Sequence, residues 1–378
     1  MKKLTAALAV TGFVALAAIV LATWIHGPHT PAEASGPQPS APPVASKTAP
    51  AQPPQAAPGA AVAQPPPVRK VVLVGWDGAD RRRIKQYMEA GDLPVLRGLS
   101  ERGALVAIDI LRTTDTKAGW SQILTGYEPE KTGVYNNWRY RPIPKGYTVF
   151  ERLEDHFGRD RFVTVAVIGK HNNLGDEPPR RIPSNGKKKP KKPWEQNQEI
   201  AIIEVDGKKY ESIPGKPYYY TTRSLDVWEN GLKKDERVGS RAIELLREHA
   251  QDDFFFFVHF AEIDTKGHHQ GEGSARQREA YVSADTWTGR ILDALEELGI
   301  AEQTIVYVTS DHGFDWRQRQ HKDAPYVFLA TDDPAVRRRG ERADIAPTIL
   351  ERFGLDLDSL DPPLDGHPLT ADHVPPAW

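Results

Sequence analysis

The chain has 378 residues, with 49 Lys and Arg against 51 Asp and Glu, a formal net charge of -2 and no cysteine. So balanced a charge argues against a general nucleic-acid binder, which carries a strongly basic domain. The missing cysteine excludes disulfides, thiolate metal sites, a cysteine nucleophile and a lipid-modified cysteine anchor.

After Lys2 and Lys3 the chain runs uncharged from Leu4 to Ile25. As a helix these 22 residues reach about 33 Å, enough for a hydrocarbon core of about 30 Å. The apolar part of a cleavable signal is shorter, about 7–15 residues. Residues 1–26 are therefore expected to form a membrane anchor, and Ala32-Glu33-Ala34 keeps a cleaved, secreted form as the alternative. No Lys or Arg follows the run until Lys47, so the amino end stays cytoplasmic and the remainder is exported. In a bacterium that means an inner-membrane anchor with the rest of the chain facing the periplasm. Residues 27–68 are Pro- and Ala-rich, with 13 prolines between Pro28 and Val68, and are expected to be a disordered tether.

From residue 69 onward, short apolar runs alternate with amphipathic stretches. Val71–Gly75, Phe162–Ile168, Phe254–Phe260 and Thr304–Thr309 are predicted buried strands. Val238–Ala250 and Ala275–Leu298 have helical periodicity. Such alternation predicts an α/β layer with a mostly parallel sheet. One segment, about 175–223, breaks the pattern with Pro, Lys and Gly and includes a basic run at Lys187–Pro193. Its middle predicts a hairpin around Asp206-Gly207. It is either a solvated insertion or a cap that attracts an anionic substrate or a membrane surface.

Ligands of open parallel sheets gather at the carboxyl ends of strands. Here the first strand runs into Asp77, the third into Asp264 and His268, and the fourth into Asp311-His312. Thr116 lies just before a predicted helix at Ala118–Leu124, where backbone N–H groups favour an anion. His321 precedes a further apolar run at Tyr326–Leu329. Mixed carboxylates and imidazoles suit zinc, manganese or iron-type ions rather than an all-oxygen calcium cage.

With these residues in place, the sequence from about Val71 to Leu369 resembles the alkaline phosphatase superfamily, in particular its type I phosphodiesterase/nucleotide pyrophosphatase branch. Thr116 stands nine residues before Thr125-Gly126, as the family's nucleophile does. Asp264–His268 matches its Asp-x-x-Gly-His element, and Ser310–Gly313 its Ser-Asp-His-Gly element. The resemblance implies a three-layer α/β/α sandwich over about 69–378 and two divalent ions, zinc or manganese. One ion would be held by Asp264, His268 and His321, the other by Asp77, Asp311 and His312, with Thr116 as nucleophile and metal-bound alkoxide. His259, His269 and Asp80 read as neighbours rather than ligands.

Asn137 falls where the diesterase branch contacts a phosphoryl oxygen, and Lys170 where some monoesterases contact phosphate. The companion Arg of those monoesterases is replaced by Asn172, which favours a diester. The resemblance thus implies a phosphodiesterase acting on a small-molecule or lipid-headgroup phosphoester through a phospho-threonine. A phosphomonoesterase or sulfatase-like hydrolase is the alternative, although sulfatases need Cys or Ser where Thr116 stands and Arg where Trp120 stands. The non-enzyme alternative is an inactive, membrane-tethered anion-binding protein. No nucleic-acid-binding module is seen, and the oligomeric state is not encoded legibly.

Overall fold

A computed structural model describes residues 68–184 and 201–370. The expected anchor, nearly all of the tether and the basic run Lys187–Pro193 lie outside the described residues. Among the described residues no helix is long and apolar enough to cross a membrane.

The strands are β1 (Lys70–Trp76), β2 (Ala104–Asp109), β3 (Phe162–Ile168), β4 (Arg180–Pro183), β5 (Ala201–Val205) and β6 (Lys208–Ile213). They continue with β7 (Val227–Asn230), β8 (Asp253–Phe260), β9 (Thr304–Thr309), β10 (Tyr326–Thr331) and β11 (Gly340–Glu341). The helices are α1 (Arg81–Glu89), α2 (Pro94–Arg102), α3 (Thr116–Thr125), α4 (Pro129–Thr132) and α5 (Val149–Phe157). After them come α6 (Asp235–Glu248), α7 (Glu262–Gln270), α8 (Ala275–Glu297) and α9 (Ile345–Arg352).

Eight strands form one sheet in the order β11-β2-β10-β9-β1-β8-β3-β7. β1 pairs in parallel with both β8 and β9, and β3 in parallel with β8 and β7. The sheet is mostly parallel, as expected, with one departure: β10 runs antiparallel to both β2 and β9. Periodicity cannot disclose strand direction, and no crossover helix separates β9 from β10.

Alternation along the central strands divides the core. Val71, Leu73, Phe255 and Phe257 face one side, where α3, α5 and α9 contribute Trp120, Phe150 and Ile349. Val72, Val74, Phe254 and Phe256 face the other, where α1, α2, α6 and α8 contribute Ile84, Leu96, Leu245 and Ile291. Helices thus cover both faces of the sheet, which explains why its central strands read as unbroken apolar runs. One close approach sets the spacing on the first face: the Trp120 ring lies 2.4 Å from where a Cβ on Gly75 would sit. Only glycine in β1 admits this indole.

The predicted hairpin exists. β5 and β6 pair antiparallel with Val205 opposite Lys208, and Asp206 (φ 50°) and Gly207 (φ 70°) make the turn, both in the positive-φ region that a two-residue hairpin favours. β4 adds to the other edge of β6, completing a small three-stranded sheet.

Candidate metal centre

Three neighbouring parallel strands, β9, β1 and β8, end at the same edge of the sheet, and the segments leaving them interlock. Asp77 N–H donates to the Phe260 carbonyl (3.0 Å) and Asp264 N–H to the Asp77 carbonyl (3.0 Å). Gly78 N–H donates to Asp311 Oδ1 (3.2 Å). Gly78 adopts φ +81°, and an added Cβ would lie 2.9 Å from that of Asp264, so the Asp77 turn and α7 can meet only across a glycine.

The residue after β8 opens directly into α7, a helix not predicted from the sequence. Asp264 and His268 are four residues apart on this helix and so project from one face, with His268 Nε2 3.2 Å from Asp264 Oδ1. His321 joins them from the segment before β10. Asp264, His268 and His321 each offer a ligand atom, all within 4.8 Å of one another, and Asp77, Asp311 and His312 do the same. The structure therefore brings together both sets of three that the resemblance implied. The second set is wholly buried, whereas His268 is exposed, so the first set faces the solvent side. His312 links the two, its Nε2 lying 3.6 Å from Asp77, 3.5 Å from Asp311 and 3.7 Å from Asp264. Its ring stacks on His321 at 3.8 Å.

These groups fit divalent ions on their own chemistry. Asp311 Oδ2 is buried with no hydrogen-bond partner, a costly state for a carboxylate oxygen unless a cation satisfies it. Burial, then repulsion from Asp77, pushes the Asp311 carboxyl well up. Burial also raises Asp77, but Lys170 and His259 reverse this and hold it at about 2. Asp264 is held well below the carboxylate range, because Lys170 and His268 outweigh burial. Burial lowers His312 and, with neighbouring His312, lowers His321 to about 3. Both shifts favour the neutral imidazole that metal ligation demands. The hydrogen bond to Asp264 raises His268 against its partial burial.

Thr116 is the first residue of α3 and is buried. Its Oγ1 lies 3.2 Å from His312 Nε2 and 3.4 Å from Lys170 Nζ, so the expected nucleophile sits against a member of the buried set and the lysine that bridges Asp77 and Asp264. Arg342 ties this corner down by donating to the Asp311 carbonyl (2.8 Å) and the Thr113 carbonyl (2.9 Å).

Lys170 is no surface lysine. Its ammonium lies 2.8 Å from Asp77 and 2.7 Å from Asp264, supplying one positive charge among three buried carboxylates. Asn137 flanks the nucleophile without touching it: its Oδ1 accepts from Lys117 N–H (3.0 Å) and its Nδ2 donates to Asp115 (3.2 Å). Neither His269 nor Asp80 joins a ligand set, and Asp80 instead caps α1. His259 also lies outside both sets, yet its Nε2 is 2.9 Å from Asp77 Oδ2. Trp120 Nε1 donates to the same oxygen (3.4 Å). Sequence reasoning missed both contacts, because a histidine within a run of phenylalanines reads as core. The one available signal was that His259 sits one residue before the end of a strand whose exit carries candidate ligands.

A mostly parallel α/β sheet with paired carboxylate–imidazole sets and an alcohol at one rim defines an alkaline phosphatase-like hydrolase. Residues 71–349 match the sequence model of type I phosphodiesterase / nucleotide pyrophosphatase. The chain belongs to that family, within the alkaline phosphatase superfamily, whose members use divalent metals to act on phosphate or sulfate esters.

Curated relatives match over short stretches. Inner membrane protein YejM of Salmonella typhi is 27% identical over 134 residues, 32% of this chain and 23% of that protein. A 2,3-bisphosphoglycerate-independent phosphoglycerate mutase of Pseudomonas fluorescens is 32% identical over 130 residues, 32% of this chain and 24% of that one. The matched stretches cover only about a quarter of these relatives. Among solved structures, the lipoteichoic acid synthase LtaP from Listeria monocytogenes aligns with a TM-score of 0.51 at 14% identity, over 80% of this chain and 75% of that one. A 2-O GAG sulfatase aligns with a TM-score of 0.51 at 13% identity, over 81% and 76%. These structures share the fold.

Proposed function

We propose that the chain is a two-metal phosphodiesterase that works through a covalent phospho-threonine at Thr116. The observation that supports this most is the position of the Thr116 hydroxyl, within hydrogen-bond reach of His312, a member of one three-residue ligand set, and of Lys170, which contacts an acid of each set. Asp264, His268 and His321 would hold one ion, and Asp77, Asp311 and His312 the other. The mixed donor set favours zinc, with manganese as the second choice. When bound, such a pair lowers the pKa of an alcohol or water and stabilises the oxygens of an in-line displacement.

The chain's own residues supply the rest. Thr116 Oγ1 forms a bond to phosphorus as the bond to the leaving alcohol breaks. Water then attacks the same phosphorus, and the bond to Thr116 breaks. The amino terminus of α3 and the Lys170 ammonium stabilise negative charge beside the reacting oxygens. His259 and Trp120 fix the orientation of Asp77. Trp120 fills the position where a sulfatase requires Arg, and its ring is wedged over Gly75, so no sulfate-binding guanidinium can enter from there. Asn137 and Lys170 would contact the substrate, Lys170 from beside the nucleophile and Asn137 from its hydrogen bond with the Lys117 amide.

The same reading makes residues 1–26 a membrane anchor, 27–68 a tether and 69–378 an exported hydrolase domain, with a small-molecule or lipid-headgroup phosphoester as substrate. Similarity to an inner membrane protein over part of its length supports this placement. The test is hydrolysis of bis-p-nitrophenyl phosphate and p-nitrophenyl phosphate by protein loaded with zinc or manganese. Preferential turnover of the diester is expected. Preference for the monoester would replace the diesterase reading, and metal binding without turnover of either would favour the anion-binding protein.

A further inference from the structure

Lys117 follows the nucleophile, and its side chain is almost wholly buried, with 5% of the residue exposed. Its ammonium donates to the Asn137 carbonyl (3.1 Å) and Asn173 Oδ1 (3.4 Å), both neutral acceptors. It also lies 4.8 Å from the centre of the Tyr140 ring. A second ammonium shares that ring: Lys216 Nζ is 5.7 Å from its centre and 3.5 Å from its hydroxyl. Lys216 comes from the 175–223 segment and is held in place. Its N–H donates to the Glu177 carbonyl (2.9 Å), and the neighbouring Pro217 carbonyl accepts from Ile143 N–H (2.8 Å). Two residues on, Tyr218 is fully buried.

Neither ammonium makes an ion pair with a carboxylate of the described residues. Burial and then repulsion from Lys216 lower the Lys117 ammonium to about 7, and the attraction of Asp115 only partly opposes them. Asp115 is also engaged by both Asn137 nitrogens. Two ammonium groups brought together on neutral partners, one of them desolvated, are costly, and an anion bound between them would offset that cost where loss of a proton from Lys117 is the alternative. The pair lies beside the metal centre, since Lys117 directly follows Thr116 at the start of α3.

We propose that Lys117 and Lys216 form an anion subsite beside Thr116, and that the substrate is a phosphoester bearing a second, non-reacting anionic group. This rests on the hydrolase reading for the reacting group and assigns a task to the 175–223 segment: it delivers one of the two charges that select the substrate.

Two matched probes test it on the metal-loaded full chain. Calorimetry compares thymidine 3′,5′-bisphosphate with thymidine 5′-monophosphate in wild type, Lys117→Met, Lys216→Met and Lys216→Arg, each shown folded by its melting curve. One charge-assisted contact predicts that wild type binds the bisphosphate about tenfold tighter. That gap closes in both Met variants and persists in Lys216→Arg. If Lys117→Met does not fold, the two Lys216 variants decide. Equal affinities in wild type, or a gap that survives Lys216→Met, would overturn the subsite. Turnover of thymidine 5′-(p-nitrophenyl phosphate) is measured separately. A binding gap without turnover would remove the hydrolase reading and keep the subsite, while turnover without a gap would do the reverse.

Discussion

Asp77 has its two carboxylate oxygens divided between different duties. Oδ2 meets His259 and Trp120, and Oδ1 meets Lys170. A partner that orients a ligand typically changes metal affinity by about 10–100-fold. Replacing His259 with Leu is therefore expected to weaken binding of one ion by that factor, measured by competition with a chromophoric chelator. Unchanged affinity would remove His259 from the site. Lys170 gives a second prediction. Without metal it is the main counter-charge for Asp77 and Asp264, and breaking a buried pair costs about 3–5 kcal/mol. Lys170→Met should lower the metal-free melting temperature far more than the metal-loaded one. Equal losses would mean that the carboxylates do not rely on a cation. Five of the six candidate ligands were legible in sequence because they follow the carboxyl end of a strand in an ordered motif, whereas His321, which precedes β10, was assigned through the family resemblance. The roles of Lys170 and His259 were not legible, because a lysine after a strand and a histidine inside one have ordinary structural uses that only contacts can overrule.

At the scale of elements, α7 matters most, since it converts a four-residue spacing into a two-ligand face. Its start is clamped by Asp235 of α6, whose Oδ1 accepts from Ala261 N–H (3.2 Å) and Glu262 N–H (3.3 Å). Glu262 returns a contact by accepting from Asp235 N–H (3.1 Å). Losing such a cap costs about 0.5–2 kcal/mol. Asp235→Ala should lower the melting temperature, and it should weaken the ion held by Asp264, His268 and His321 more than the other. Equal effects on both ions would show that the clamp serves stability alone. The four-residue Asp264/His268 interval fits one helical face, but Gly267 within it and the strand just before it mask the helical signal. The hairpin at Asp206-Gly207 was legible because its turn chemistry is local. The reversed direction of β10 was not, since pairing direction depends on partners far away in sequence.

Across the whole molecule, three strand ends and two further segments converge on one rim, so the metals and the fold should stabilise each other. Ligand linkage gives about 2.7 kcal/mol for an ion present at about 100 times its dissociation constant. Chelation should therefore lower the melting temperature, and zinc or manganese should restore it. A chain indifferent to chelation would contradict the two-ion centre. The proposed anchor makes a separate prediction: deleting residues 1–26 should move the protein from the washed membrane fraction to the soluble one. The sheet was legible because its strands are buried on both faces and stand out as apolar runs. The strands β2, β7 and β11 were not, being short or half-buried and lacking that signature.

The most direct measurement takes one preparation of Thr116→Ala, counts its bound metal by elemental analysis and follows its turnover of bis-p-nitrophenyl phosphate beside wild type. Two ions per chain and a rate lower by about 10³-fold or more, as expected when a nucleophile is removed, would agree with a metal-activated threonine. Two ions per chain with turnover close to wild type would contradict it.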